Sequence, residues 1–455
     1  MATFRAKNKS LQIFKPKPRK IPTGNVQLTV VSLADDGRGI ARVAGKTVFV
    51  AGGLPGEVVR ASYSGSYKNY DVAQVVEIIQ PAAARVVPVC EYFSRCGGCS
   101  LQHLAYDDQL KHKNHQLQML FKPLLPAPGQ VQGEGQESPW AQAIVASALH
   151  YRHRARFAVS ASRNGCAVGF KQAESHEVVD IDRCYIVQKA ISDSLLLLKP
   201  VIASLKSRSS IIEASITEDS TGKLAVLLLF KHQPDATDIA VLQTLAEAKS
   251  WLIELKLVNA SESFWRSGDG RLSAFLPAAK LTLPYALGDF TQVNTAINQQ
   301  LITRAIAWLA LTKEDIVADY FCGIGNFSLP MAQWAESVVG YEFDSSMVAK
   351  AELSASENNV DNARFYRRNL MADDVAIDTT ANKVLLDPPR AGAEQLCKQL
   401  AVAALTGIVY ISCNPSTLHR DAQLLLAGGF TLQKIALADM FPQTKHSEVI
   451  ALFTR

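Results

Sequence analysis

The chain has 455 residues, 48% of them hydrophobic and 20% charged, which suits a soluble globular protein of two or three domains. Its longest apolar runs fall far short of the roughly 18 residues needed to cross a bilayer, and its start is basic and broken by prolines, unlike a signal peptide. A cytoplasmic protein is therefore expected, with no membrane partner, whose eight cysteines serve as ligands, catalysts or core residues and not as disulfides. The first twenty residues hold seven Lys/Arg and no acid, more than the whole net charge of +5. Residues 1–21 read as a disordered basic arm, either solubilising or suited to a phosphate backbone.

Residues 22–81 show short β-branched runs punctuated by Gly/Pro turns: "VQLTVVSL", "IARVAGKTVFV", "VVRASYS" and "YDVAQVVEII". Strands this short, within about 60 residues, predict a small closed barrel. With its "DDGRGIAR" and "GGLPGE" segments, it resembles a TRAM domain, an OB-like RNA-binding barrel. Residues 82–285 read as a mixed α+β central domain. A helix is expected around Tyr106–Phe121, then a polar loop, "PLLPAPGQVQGEGQESP", then a hairpin turning at "RNG". Arg152, Arg154 and Arg156 alternate along the first strand of that hairpin, so they share a face. That face is either an RNA contact or a basic edge guarding against aggregation.

From residue 286 onwards strand and helix patterns alternate. The apolar strands "DIVADYF", "AESVVGYEF", "KVLLDPP" and "GIVYIS" imply a buried parallel sheet of the doubly wound kind, so the fold class is α/β. In "ADYFCGIGNFSLP" a strand runs into Gly323-x-Gly325, where a ligand can approach the backbone. Glu342 ends the next strand, 19 residues after Gly323, and could accept from two ribose hydroxyls. Ser328 stands where a dinucleotide fingerprint has its third glycine, so S-adenosylmethionine is the better cofactor. In "LLDPPRAG", Asp387 is held rigidly at the cleft edge by two prolines. Arg390 follows where amino-group methyltransferases carry an aromatic residue, which points to another target atom. In "VYISCNPST" the proline stops the strand, so Cys413 sits at a strand end facing a cleft. His446-x-Glu448 has the form of a deaminase zinc motif, but only seven residues follow it, too few for the downstream cysteines.

"FTQVN", "FCGIGNFSLP", "DPPRAG", "SCNP" and the terminal "HSE", in this order, resemble the RNA uracil-C5 methyltransferase family, and among its members those acting on 23S ribosomal RNA. The resemblance implies a Rossmann-like, S-adenosylmethionine-dependent catalytic domain over 286–455 that forms 5-methyluridine through a covalent cysteine–uracil adduct. It makes Cys413 the nucleophile and Glu448 the general base, with Asp387 beside them. It puts Gln292, Phe321, Asn326, Glu342, Asn369 and Asp387 around cofactor and base, with Gly323 and Gly325 in the cofactor loop. The chemistry needs a thiolate to add at C6 and a carboxylate to remove the C5 proton; a position near Arg390 is expected to favour the thiolate. A monomer is expected. The same chemistry on tRNA or another rRNA site, or a non-catalytic RNA-binding iron–sulfur protein, are the rival readings.

Cys90, Cys96 and Cys99, spaced C-x5-C-x2-C, form a metal site in a reducing compartment. Spacing alone leaves zinc and a [4Fe-4S] cluster equal, and leaves Cys166 or Cys184 as the fourth ligand. The resemblance implies the cluster, held by Cys90, Cys96, Cys99 and Cys184. Cys166, Cys322 and Cys397 then read as packing residues.

Overall fold

The computed structural model describes residues 19–125, 138–162 and 165–455. Most of the basic arm, most of the polar loop after Leu125, and the Arg163-Asn164 turn of the hairpin lie outside the described residues. The described chain forms two compact units: residues up to Val87 together with His103–Ala105, and Pro88–Gln102 together with Tyr106–Arg455.

The first unit is a six-stranded sheet in the order Asn25–Thr29, Val58–Ser66, Tyr70–Gln80, Lys46–Ala51, Gly39–Val43, Ser32–Leu33. The run "IARVAGKTVFV" folds as two strands because Ala44 and Gly45 both take positive φ, 47° and 81°, the turn that matches strand twist. Alternation then buries Ala41, Val48, Val50, Val59, Ala61 and Ala73 completely.

The second unit holds two seven-stranded sheets. The first runs Ser263–Arg266, Leu252–Leu257, Leu224–Phe230, Ile211–Glu218, Arg154–Ser162, Gly165–Lys171, Val178–Asp180. Helices Lys189–Ser204 and Ala236–Lys249 close its apolar face around Phe157, Leu195, Ile216 and Leu228. The strand Arg154–Ser162 pairs with Ile211–Glu218 over Arg154–Ala158, but its pairing with Gly165–Lys171 begins only at Ala158, so Arg154 and Arg156 lie where the strand is paired on one side. Arg152, Arg154 and Arg156 do share the more open face: Arg154 donates to the Asp289 carbonyl, and Arg156 lies 3.9 Å from Glu213.

The second sheet has the order Ala363–Arg367, Ser337–Glu342, Ile316–Tyr320, Lys383–Leu386, Gly407–Ser412, Glu448–Thr454, Thr431–Ala438. The first five strands are parallel, and the central ones are almost wholly buried and largely apolar, with Asp319 a buried exception. Glu448–Thr454 enters antiparallel between Gly407–Ser412 and Thr431–Ala438, an arrangement the parallel expectation did not include.

Candidate active site

The expected residues stand in the order of the strands that carry them. Glu342 ends Ser337–Glu342, Phe321 follows Ile316–Tyr320, Asp387 follows Lys383–Leu386, and Cys413 follows Gly407–Ser412. All four lie at the carboxyl ends of adjacent parallel strands, where doubly wound sheets bind ligands. The antiparallel neighbour adds the fifth. Ser412 pairs with Val449, so the register sets Cys413 opposite Glu448.

Each is fixed locally. Phe321 adopts φ 69°, a left-handed conformation costing a bulky residue roughly 1–2 kcal/mol, and its N–H donates to the Tyr341 carbonyl at 2.9 Å. Gly325 follows at φ 89°, and a Cβ there would meet Leu329 Cγ at 3.1 Å, so only glycine fits this bend. The Glu342 carboxylate accepts from the N–H groups of Gly323, Phe343 and Asp344 at 3.2, 2.6 and 3.0 Å, which presets its orientation. Asn326 and Asn298 exchange side-chain amide hydrogen bonds at 2.8 and 2.9 Å. Gln292 donates to Asp387 at 3.1 Å. Its loop is held by His153, whose ring nitrogens lie 3.0 Å from the Val293 carbonyl and 3.2 Å from the Thr291 hydroxyl. Asn414 caps the helix Pro415–Ala427 and donates to the Arg390 carbonyl at 2.9 Å, tying Cys413 to the Pro-Pro turn.

A cavity of about 520 Å³ opens at these strand ends. Gln292, Phe321, Gly323, Asn326 and Asp387 line it, together with His153 and Glu218 from the other sheet. Gly325, Glu342, Asn369, Cys413 and Glu448 are outside its lining, although Glu342 reaches it through the Gly323 N–H. Asn369 is exposed after Ala363–Arg367, its side chain accepting from Met371 N–H at 3.2 Å. Asn298, His153 and Glu218 carry no local motif, so sequence reading passed them over.

The electrostatics are those of a crowded acidic cleft. Burial pushes the Asp387 carboxyl up to about 7, against the Gln292 hydrogen bond. Burial also holds Glu448 well above the carboxylate range, the Asp387 charge adding to this and Arg390 opposing it. The Cys413 thiol is raised by burial and then by Glu448; Arg390 pulls it down by charge and hydrogen bond without cancelling the rise. Proximity to Arg390 therefore does not make a resting thiolate, contrary to expectation, because burial and a neighbouring acid outweigh one guanidinium.

Cys90, Cys96, Cys99 and Cys184 line a further small cavity with Tyr92, Phe93 and Phe170. Gly97 N–H donates to the Lys171 carbonyl at 3.0 Å, and a Cβ there would sit 2.8 Å from that oxygen. Cys184 N–H donates to Ser192 Oγ at 2.9 Å. Burial raises all four thiols, Cys99 to about 12 and Cys184 to about 11. Among the described residues no three His, Cys, Asp or Glu side chains converge closely enough to chelate a single ion. Cys166 is half-buried outside this cavity, and Cys322 and Cys397 are buried in apolar surroundings. No helix among the described residues is long and apolar enough to cross a membrane.

Residues 105–455 match the sequence model of the tRNA (uracil-5-)-methyltransferase family, and residues 25–76 that of the TRAM domain. The chain is 38% identical to the 23S rRNA (uracil(1939)-C(5))-methyltransferase RlmD of Aeromonas salmonicida, over 97% of this chain and 99% of that protein. It is 35% identical to the protein of the same name from Francisella tularensis subsp. novicida, over 96% and 98%. Among solved structures, the Pyrococcus abyssi tRNA (uracil-54, C5)-methyltransferase in complex with S-adenosyl-L-homocysteine superposes with a TM-score of 0.74. That match has 22% identity and covers 94% of this chain and 99% of that one, a likeness of fold.

Proposed function

The chain belongs to the tRNA (uracil-5-)-methyltransferase family, and from that membership we propose that it methylates C5 of a uridine in 23S rRNA, forming 5-methyluridine. The relatives named for 23S rRNA, 35–38% identical over nearly the whole length, support rRNA over tRNA as substrate. The chain then divides into the arm, the TRAM barrel over 22–81, the central domain over 82–285 and the catalytic domain over 286–455, working as a cytoplasmic monomer.

S-adenosylmethionine, when bound, supplies an electrophilic methyl group. Phe321, Gly323 and Asn326, with Gln292 and Asp387, line the cavity that would hold it, and the resemblance adds Gly325, Glu342 and Asn369. Cys413 adds through sulfur to C6 of a uracil drawn out of its stack, which turns C5 into an enolate-like nucleophile. Once C5 carries the methyl group, Glu448 takes the C5 proton; the C–H electron pair forms the C5–C6 double bond and sulfur leaves C6. Burial raises the Glu448 carboxyl well above the carboxylate range, which makes its ionised form a stronger base than a solvated carboxylate. Burial raises the Asp387 carboxyl, and in its protonated or ionised form it can donate to or accept from the base edge. What chiefly supports the reading is the register that sets Cys413 opposite Glu448, with Asp387 and Arg390 acting on both electrostatically. Transfer of a tritiated methyl group to separate tRNA, 16S and 23S transcripts tests it. Label is expected in 23S alone, and label in tRNA would replace the substrate.

Cys90, Cys96, Cys99 and Cys184 would hold a [4Fe-4S] cluster. The four cysteines line one cavity, which supports a shared group, and the cluster over zinc follows from the resemblance. Raised thiols mean that loading releases protons. Methyl transfer moves no electrons, so the cluster's role is structural. Anaerobically purified protein is expected to be brown with about four irons per chain. Cys184→Ser should lose the iron and Cys166→Ser keep it; stoichiometric zinc without iron overturns the assignment.

A further inference from the structure

Glu448 is reached through the loop over 439–447, and that loop is held from outside its own sheet at nearly every turn. Lys113, buried on the helix Tyr106–Phe121, pairs with buried Asp439 at 2.7 Å and donates to the Phe441 carbonyl at 3.1 Å. Tyr106 donates to Asp439 at 2.9 Å, and Tyr151 to the Pro442 carbonyl at 3.1 Å. Gln109 and Gln443 are doubly joined: Gln109 Nε2 donates to Gln443 Oε1 at 2.9 Å, and Gln443 N–H to Gln109 Oε1 at 3.1 Å. Gln443 itself takes a left-handed φ of 66°. The segment of the four-thiol cavity completes the grip. Ser100 and Leu101 N–H both donate to the Gln443 carbonyl at 3.0 Å, and Lys445 N–H donates to Ser100 Oγ at 2.9 Å. Ser100 directly follows Cys99, while Gln102 accepts from Cys90 N–H at 3.2 Å and hydrogen-bonds Cys99.

We propose that the Cys90–Gln102 segment and the helix Tyr106–Phe121 form a brace that sets the reach of Glu448. Gln109, Ser100 and Gln443 are then positioning residues for the proton-removal step. This rests on the reading of Glu448 as general base. Proton abstraction needs a donor–acceptor distance of about 2.6–3.2 Å, and holding the loop in one conformation costs backbone entropy that the brace offsets. Cofactor residues lie on other strands, so slackening the brace spares cofactor binding and thiol addition. It delays the step in which Glu448 gains the C5 proton, the C5–C6 double bond forms and the Cys413 sulfur leaves C6. The thiol-rich segment is thereby coupled to catalysis mechanically, with no electron transferred.

The test compares Gln109→Ala and Ser100→Ala with wild type in the full-length, iron-loaded protein, with Glu448→Gln as reference. Both variants should bind S-adenosylmethionine and complete a single methyl transfer within about threefold of wild type, yet turn over about 10- to 100-fold more slowly, the scale of a 1 Å misplacement. A methylated covalent protein–RNA complex should accumulate on denaturing gels, and the amides of residues 439–447 should exchange hydrogen faster. Protein stripped of iron by a chelator should show the same faster exchange. If Glu448→Gln accumulates no complex, the base reading itself fails. If Glu448→Gln accumulates it but the two alanine variants turn over normally, or lose activity with no complex, the brace is overturned. Ser100→Ala removes a single hydroxyl, so the comparison stands even where Gln109→Ala folds poorly.

Discussion

Cys413→Ala is expected to reduce methylation by about 10³-fold or more, the scale of losing a nucleophile, and to eliminate every covalent protein–RNA complex. Binding of S-adenosylmethionine, followed by calorimetry, should change little, because the cavity is lined by Gln292, Phe321, Gly323, Asn326 and Asp387 and not by Cys413. The pH dependence carries a second signature. The thiol titrates above its ordinary value of 9.0, so near neutrality the thiolate fraction grows about tenfold per pH unit. Single-turnover complex formation should therefore climb steadily from pH 7 to 9 with no plateau. A variant that methylates at a comparable rate would remove Cys413 from the mechanism. A plateau below pH 8 would mean that bound RNA brings the thiol down.

Glu448→Gln should fail at the opposite end of the reaction. The amide is close in shape, and burial already disfavours the charged form at this position, so a neutral group is accommodated there. Addition and methyl transfer proceed, but nothing removes the C5 proton, so sulfur cannot leave. A methylated complex that survives denaturing electrophoresis should build up towards one per enzyme, with turnover down by about 10²–10⁴-fold. Normal turnover without a complex would assign the proton to another group, Asp387 being the nearest candidate by its raised pKa.

Much of this site is legible in sequence because parallel strands announce their own ends. "VVGYE", "VLLDPP" and "IVYISCNP" each pass from buried apolar residues to a polar or proline-bounded position, and "VADYF" runs into Gly323-x-Gly325, which put Glu342, Asp387, Cys413 and the glycine loop at strand ends; Phe321 came from the resemblance. The cysteine spacing grouped Cys90, Cys96 and Cys99 but left Cys166 or Cys184 as the fourth, and it is Cys184 that lines a cavity with them. What sequence does not carry is pairing across long separations. "EVIALFT" reads as any apolar strand, and nothing in it says that it runs antiparallel beside Gly407–Ser412. The Lys113–Asp439 pair joins residues 326 apart, and a lysine on an otherwise polar helix gives no sign of being buried. Arg152, Arg154 and Arg156 show the complement of this limit: alternation gave their common face, but only the register shows that Arg154 and Arg156 are paired on one side alone.

The seating of Glu448–Thr454 has a consequence for how activity arises during folding. Thr431–Ala438 and Glu448–Thr454 form a hairpin from nearby sequence, which can assemble early on the microsecond scale. Its docking onto Gly407–Ser412 is non-local, and its ordering entropy must be met before the contacts reward it. Until that seam closes, sulfur and carboxylate belong to separate pieces of the chain. Return of catalysis after denaturation thus reports one late event, the zipping of a single antiparallel seam, and not the growth of secondary structure that precedes it.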